Sequence, residues 1–328
     1  MEKDLSSLDS VRKRYLYMKD PKMVRILKIQ DAIVTAIRDF LHERNFIELQ
    51  APIIGPVSDP GIRGAKQVSI DFYGSEFKLM SSMILYKQMA VSSLGKIFSI
   101  SPNIRIEPIE TIKTGRHLSE FRQVDIEEAY ASYEDVMTLA EELIYYVCSE
   151  VKDNCNGNLE RLGRKLRLPI PPFQRITYEE AIKELDDMGF RIKYGDEIPW
   201  DAEEALSASK KEPFFIVDYP RKARGFYYSE HSDRPGILRD FDLIYPEGYG
   251  EAVSGGEREY RHEQVLERIE ESGEDTQKYG WYLDMLKHGI PQSAGFGIGI
   301  ERLTRWICGL DKIWEATPFP KVPGVISP

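Results

Sequence analysis

The stretch that most restricts how this chain can fold is residues 100–130, ISPNIRIEPIETIKTGRHLSEFRQVDIEEAY. Its first part alternates, with Ile100, Ile104 and Ile106 on one face and Asn103, Arg105 and Glu107 on the other. Its second part sets Val124 and Ile126 opposite Phe121, Gln123, Asp125 and Glu127. A period of two in both segments predicts two half-apolar strands. The loop between them is basic and carries Lys113, Arg116 and His117. Antiparallel strands often leave one face to water, so a solvated face accounts for the pattern. The floor of a ligand site accounts for it equally. Arginines and loop cations suit phosphate oxygens, and a ring such as Phe121 suits the flat face of adenine.

The flanking sequence supplies elements to enclose such a pair. Residues 22–46 place Ile26, Ile29, Ile33, Ile37, Phe40 and Leu41 at helical spacing. FIELQAPII reads as a strand stopped by Pro52, and residues 56–69, rich in Pro, Gly and Ser, read as a long loop. A hairpin is predicted around Tyr73-Gly74, then a short helix closed by Gly95. A second long helix spans 132–153, followed by a helical turn and a Pro-rich linker over 154–174. Thr177 and Glu180 have capping-box spacing, and Gly189 stops the helix they open. Segments 213–220, 237–246 and 248–256 are strand-like, 262–289 is helical, and 292–310 is a Gly-rich strand running into a helix. Strands next to strands, with long helices between, predict an α+β fold with an antiparallel sheet flanked by helices.

Two further segments could carry chemistry. In DFDLIYPEGYGEAVSGGEREYR, Asp242 and Glu251 are hard oxygen donors suited to Mg²⁺ held with nucleotide phosphates. Arg258 follows a Gly-Gly pair that lets backbone approach a ligand, although an acidic surface hairpin has the same composition. GFGIGIERL lacks the Lys-Ser/Thr of a phosphate loop, so it reads as a closely packed strand–helix joint with Arg302 in the first helical turn. His42, His231, His262 and His288 are scattered, and no nucleophilic triad is visible. The net charge of −10 argues against a broad nucleic-acid surface. No apolar run reaches the roughly 18 residues of a membrane span. Cys148, Cys155 and Cys308 lack metal-ligand spacing, so a cytoplasmic, reducing setting is expected.

Taken together, IRIEP…RHLSEFRQVDIE, GFGIGIER and the helix and strand ending at Pro52 resemble the three ordered motifs of class II aminoacyl-tRNA synthetase cores. YKQ, DLIYP…GEAVSGGER and PFPKVPG are similar to the aspartyl/asparaginyl branch. The resemblance covers residues 22–328, with 1–21 as an N-terminal extension and no anticodon-reading barrel. It implies the class II antiparallel sheet and a homodimer formed through the first motif. It also implies roles: Arg105 on the ATP α-phosphate and the reacting carboxylate, Glu107 on the adenine amino group, and Phe121 stacked on adenine. Arg116, His117 and Arg302 would meet the outer phosphates, while Glu251, Ser254 and Asp242 would hold Mg²⁺. Lys87 and Arg258 would grip the distal carboxylate of aspartate, with Asp125, Asp59 and Ser82 nearby.

The resemblance is strongest to the free-standing archaeal asparagine synthetases of this branch. That predicts aspartate, ATP and ammonia as substrates and asparagine, AMP and pyrophosphate as products. The alternatives are a core that charges or modifies tRNA, and a binding paralogue without catalysis. Three departures bear on substrate choice: Ser82-Met83-Ile84 for Ser-Pro-Gln, Gln292-Ser293 for a histidine-containing pair, and Lys321 for an arginine.

Overall fold

The computed structural model describes residues 4–59 and 64–328. Met1–Lys3, in the expected N-terminal extension, and Pro60–Arg63, in the expected long loop, lie outside the described residues. In chain order the chain forms α1 (Leu8–Arg12), α2 (Arg14–Tyr17), α3 (Pro21–Glu43), β1 (Ile47–Glu48), β2 (Ile54–Gly55), β3 (Ser69–Phe72) and β4 (Ser75–Leu79). Next come α4 (Ile84–Leu94), β5 (Lys96–Ile104), β6 (Glu120–Ala129), α5 (Tyr133–Arg161), β7 (Gln174–Thr177), α6 (Tyr178–Asp187), α7 (Trp200–Ser209) and β8 (Phe214–Val217). β9 (Asp240–Tyr245), β10 (Gly250–Glu257), α8 (His262–Glu271), α9 (Gly280–His288), β11 (Ser293–Gly299) and α10 (Ile300–Cys308) complete it.

Eight strands form one sheet in the order β1-β5-β6-β11-β10-β9-β8-β7. Every interior pair is antiparallel, and the two edge strands, β1 and β7, pair parallel with their neighbours. One face of the sheet is apolar. Phe98, Val124, Ile126, Leu243, Val253, Phe296 and Ile298 pack there against Ile29, Ile33 and Ile37 of α3 and Leu143, Ile144 and Val147 of α5. Each such aliphatic side chain contributes about 1.5–3 kcal/mol by leaving water. This anchoring holds the opposite, polar face still. Asp20 opens α3 by accepting the Lys22 N–H at 2.8 Å, and Ser132 and Asp135 close a capping box on α5. The described part of the N-terminal segment packs on the chain's last turns: Arg14 donates to the Trp314 carbonyl and the Trp314 indole donates to the Ser6 carbonyl.

Several expectations need correction. FIELQAPII is two short strands in different sheets, because β1 joins β5 while β2 joins a small sheet ordered β2-β4-β3. Ile106 lies beyond β5 and is exposed, so it does not anchor the sheet. α5 continues through Gly157 to Arg161, where a helical turn and linker were expected. The 262–289 segment is two helices, broken at Ser272-Gly273. α7 had no sequence expectation, although Pro199 and the acidic first turn of Asp201 and Glu203 are helix-start signals. No helix among the described residues is long and apolar enough to cross a membrane.

Candidate active site

The second face of the β5–β6 pair is polar but not wet. Ser99, Ser101, Asn103, Asp125 and Glu127 are all buried. Phe121, Gln123 and Asp125 of β6, with Arg105 just beyond β5, line a cleft of about 410 Å³. Asp125 and Glu127 lie in register opposite Gly297 and Gly295 of β11. Those glycines have a specific use. A Cβ on Gly295 would collide with the Glu127 carboxylate, and one on Gly297 with the Gln123 amide. The Gly-rich strand therefore leaves room for polar side chains to lie flat across it.

Every site residue expected from sequence lines this cleft except Asp242. At one end Lys87 and Arg258 meet two carboxylates. Lys87 Nζ is 3.4 Å from Asp125 Oδ1 and 3.3 Å from Glu127 Oε2. Arg258 donates from Nε to Glu127 Oε1 at 3.1 Å and from Nη2 to Glu127 Oε2 at 3.2 Å, and Nη2 also reaches the Gly295 carbonyl at 2.8 Å. Ser293 Oγ donates to Glu127 Oε1 at 2.8 Å, so one of the departures noted above has a defined job. Burial works against the Arg258 charge, but Glu127 more than restores it and holds its pKa above the usual arginine value. Burial pushes the Asp125 carboxyl up, opposed by Lys87. Asp125 and Glu127 thus pair with both cations in this corner, whereas the substrate's distal carboxylate was expected to meet them. Glu127 was visible on the polar face of the alternating strand, but its pairing with Arg258 depends on β11 and β10 being adjacent.

Two buried atoms there have no partner among the described residues: Arg258 Nη1, a donor, and Asp125 Oδ2, an acceptor. Asp59 is tied in from the loop before β3, where its Oδ1 accepts the Tyr227 hydroxyl at 2.9 Å. Ser82 Oγ accepts the Ile84 N–H at 3.3 Å, which holds it at the start of α4.

At the other end Arg105 donates to the Ser81 carbonyl from Nε (3.2 Å) and Nη2 (3.1 Å), with its guanidinium 5.2 Å from the centre of the Phe121 ring. Burial pushes the Glu107 carboxyl up while Arg105 and Arg302 draw it down. Arg302 Nη1 donates to the Glu251 carbonyl at 2.9 Å and lies 3.5 Å from the Glu251 carboxylate. Arg116 is buried and ion-paired to Glu203 of α7, and the His117 ring sits edge-on to Trp200 at 4.5 Å.

The fit of a divalent cation depends on β10. Glu251 pairs with Ile244 and Val253 with Leu243, so Ala252 is an extra residue, a bulge. In a regular strand Glu251 and Ser254 would point to opposite faces; the bulge turns both into the cleft. One carboxylate and one hydroxyl beside a phosphate-sized space fit Mg²⁺, which keeps few protein ligands when phosphates complete its shell. Among the described residues no group of three or more His, Cys, Asp or Glu forms a metal cage, and such a cation does not need one. Asp242 is the register partner of Ser254 on the neighbouring strand but does not line the cleft. Arg224 binds it from Nη2 at 2.5 Å and binds Asp240 from Nε at 3.0 Å, while stacking 3.7 Å over Tyr219. Arg224 had no sequence signal, since it arrives on the irregular segment after β8.

The sheet, its dry polar floor and the opposed arginines define the class II synthetase catalytic fold. The chain belongs to the family of tRNA synthetases class II (D, K and N), whose model matches residues 8–323. It is 33% identical over 311 residues to the asparagine–tRNA ligase of Thermoplasma acidophilum, covering 94% of this chain and 71% of that protein. It is 35% identical over 313 residues to the enzyme of the same name from Pelotomaculum thermopropionicum, covering 94% and 72%. The asparaginyl-tRNA synthetase of Pyrococcus horikoshii, solved with asparaginyl-adenylate, superposes with a TM-score of 0.90 at 32% identity, covering 97% of this chain and 73% of that one. The Entamoeba histolytica asparaginyl-tRNA synthetase with the same adenylate gives 0.89 at 27% identity, covering 100% and 74%. These likenesses overturn the expectation of an ammonia-dependent asparagine synthetase. The similar proteins are ligases of asparagine to tRNA, and the surplus positive charge that argued for aspartate is cancelled by Asp125 and Glu127.

Proposed function

We propose that the chain joins asparagine to tRNA in two steps through an asparaginyl-adenylate. The observation that carries the choice of amino acid is the unpartnered pair at the neutral end of the cleft. An amide offers a carbonyl oxygen to Arg258 Nη1 and an N–H to Asp125 Oδ2, so both buried groups gain a partner. A carboxylate offers only acceptors and would face Asp125 as a like charge.

In the first step an oxygen of the asparagine α-carboxylate attacks the ATP α-phosphorus, and pyrophosphate leaves. In the second, a ribose hydroxyl at the tRNA end attacks the acyl carbon and AMP leaves. Two anions must meet, so positioning and charge neutralisation supply the catalysis, and no protein nucleophile is needed. Arg105 stands beside the reacting carboxylate and α-phosphate, with Phe121 under the adenine and Glu107 on its amino group. Arg116, His117 and Arg302 neutralise the outer phosphates. Glu251 and Ser254 would hold Mg²⁺, which would add to the neutralisation of the phosphates.

The homodimer belongs to the same reading. Ile47 on the edge strand, Ile53, and Met89 and Leu94 on α4 are exposed large apolar residues at that end of the chain. Amino-acid-dependent exchange of labelled pyrophosphate into ATP tests the function. Exchange with asparagine and little with aspartate is expected; exchange with aspartate alone would overturn the choice of amino acid.

A further inference from the structure

Glu203 lies on α7, outside every motif considered above, and is buried. Its Oε1 accepts from two donors: the Arg116 guanidinium, and the backbone N–H of Glu251 at 2.6 Å. The first belongs to the loop between β5 and β6 and the second to the bulged strand β10. The carbonyl of that same Glu251 accepts from Arg302 at 2.9 Å. A continuous chain of bonds thus runs from Arg116 through Glu203 and one residue of β10 to Arg302.

α7 is fastened so that this chain holds its dimensions. One turn before, Trp200 accepts Arg116 Nη1 at its carbonyl (3.4 Å) and puts its ring against His117. One turn after, Ser207 Oγ accepts the Gly250 N–H at 3.0 Å and donates to the Tyr245 carbonyl at 2.6 Å. Positions 200, 203 and 207 share one helix face. Gly250 has φ +73, and a Cβ there would run into the Arg116 guanidinium and the Glu203 carboxylate. The backbone passes close to the ion pair at the one residue without a side chain.

We infer that Glu203 is a positioning residue that couples Arg116 to Arg302 across the phosphate end of the cleft, fixing the two guanidiniums for the outer phosphates of ATP. The inference rests on the reading above that the cleft binds ATP. A carboxylate that only neutralised Arg116 would need no bond to the Glu251 N–H. The shared oxygen makes the two walls one unit before ligand arrives, which lowers the ordering cost of binding.

The test uses the full chain and two readouts: ATP affinity by titration calorimetry, and KM for ATP and for asparagine in pyrophosphate exchange. Glu203→Gln keeps an acceptor for the Glu251 N–H but removes the charge that holds Arg116. The expected result is a rise of roughly tenfold in Kd and KM for ATP, the scale of one charge-assisted contact. KM for asparagine should stay within about twofold. Combined with Arg116→Gln, the double variant should be no worse than Arg116→Gln alone, because Glu203 acts through that arginine. Additive effects, equal changes in both KM values, or unchanged or tighter ATP binding would each overturn the inference. Should Glu203→Gln fail to fold, Glu203→Asp carries the test, with the same expected split between the KM values. Wild-type protein that binds no ATP would refute the reading of the cleft itself; wild-type binding matched by an indistinguishable Glu203→Gln refutes the coupling alone.

Discussion

Replacing Arg258 by methionine probes the part of the account on which substrate choice depends. The guanidinium is fully enclosed, makes two-pronged contact with Glu127, caps the Gly295 carbonyl and leaves Nη1 buried without a partner among the described residues. A hydrogen bond from a charged donor to a buried substrate carbonyl is worth about 1.5–3 kcal/mol. At about 1.4 kcal/mol per decade, its loss raises KM for asparagine roughly ten- to 150-fold. A second effect falls on stability. Removing one partner of a buried pair costs about 3–5 kcal/mol when the other is stranded. Glu127 is not stranded, since Lys87 remains at 3.3 Å and Ser293 at 2.8 Å. About half that penalty, on the order of 2 kcal/mol, is therefore expected. Pyrophosphate exchange at varied asparagine and varied ATP separates the effects, with a denaturant titration alongside. The reasoning fails if KM for asparagine is unchanged in a folded variant, or if KM for ATP rises in step with it.

Other perturbations reach different parts of the molecule. Phe121→Ala should weaken ATP binding by about 1–3 kcal/mol, the value of one base–aromatic stack, and leave KM for asparagine nearly constant in the same assay. Glu301 accepts the Arg122 N–H with both oxygens, at 3.1 and 3.0 Å, and burial raises its carboxyl to about 7. Because the folded form binds the proton more tightly than the unfolded chain, this stabilisation is complete below about pH 4.5 and is lost as pH rises towards 7. Urea titrations of Glu301→Gln from pH 4 to pH 8 should show a shallower fall in stability than wild type across that window, by on the order of 3 kcal/mol; parallel profiles would contradict the assignment. Ile126→Ala empties a fully buried core position under the cleft floor and should cost about 2–5 kcal/mol in a denaturant titration. Ile47→Asp should convert a dimer to monomer in sedimentation analysis, as expected if the exposed edge near β1 is the contact.

How much of this could be read in the chain depends on the range of the interactions. The alternation in residues 100–130 placed Val124 and Ile126 in the core and Asp125 and Glu127 on the other face, because period two is a local property of the backbone. The caps at Thr177 and Gly95 were legible for the same reason. The dryness of the polar face was not, because Ser99, Ser101 and Asn103 are covered by residues distant in sequence, such as Met83, whose sulfur accepts the Ser99 hydroxyl. Charge balance was likewise hidden. Lys87 and Arg258 look like free cations until strand order sets Asp125 and Glu127 beside them. The bulge at Ala252, which turns Glu251 and Ser254 to one side, is a register shift against β9 and has no signature within β10 alone. Motif resemblance found the cleft; the neighbours that set its charge came only with tertiary structure.

The most direct test of the central claim is a single-turnover transfer experiment on the wild-type chain. Enzyme is loaded with labelled asparagine and ATP, freed of excess substrate, and mixed with tRNA. A stable enzyme-bound adenylate is expected, with transfer of the label to tRNA in one phase and no comparable loading by aspartate. Loading by aspartate and not asparagine, or an asparaginyl-adenylate that never passes its label to tRNA, would contradict that claim.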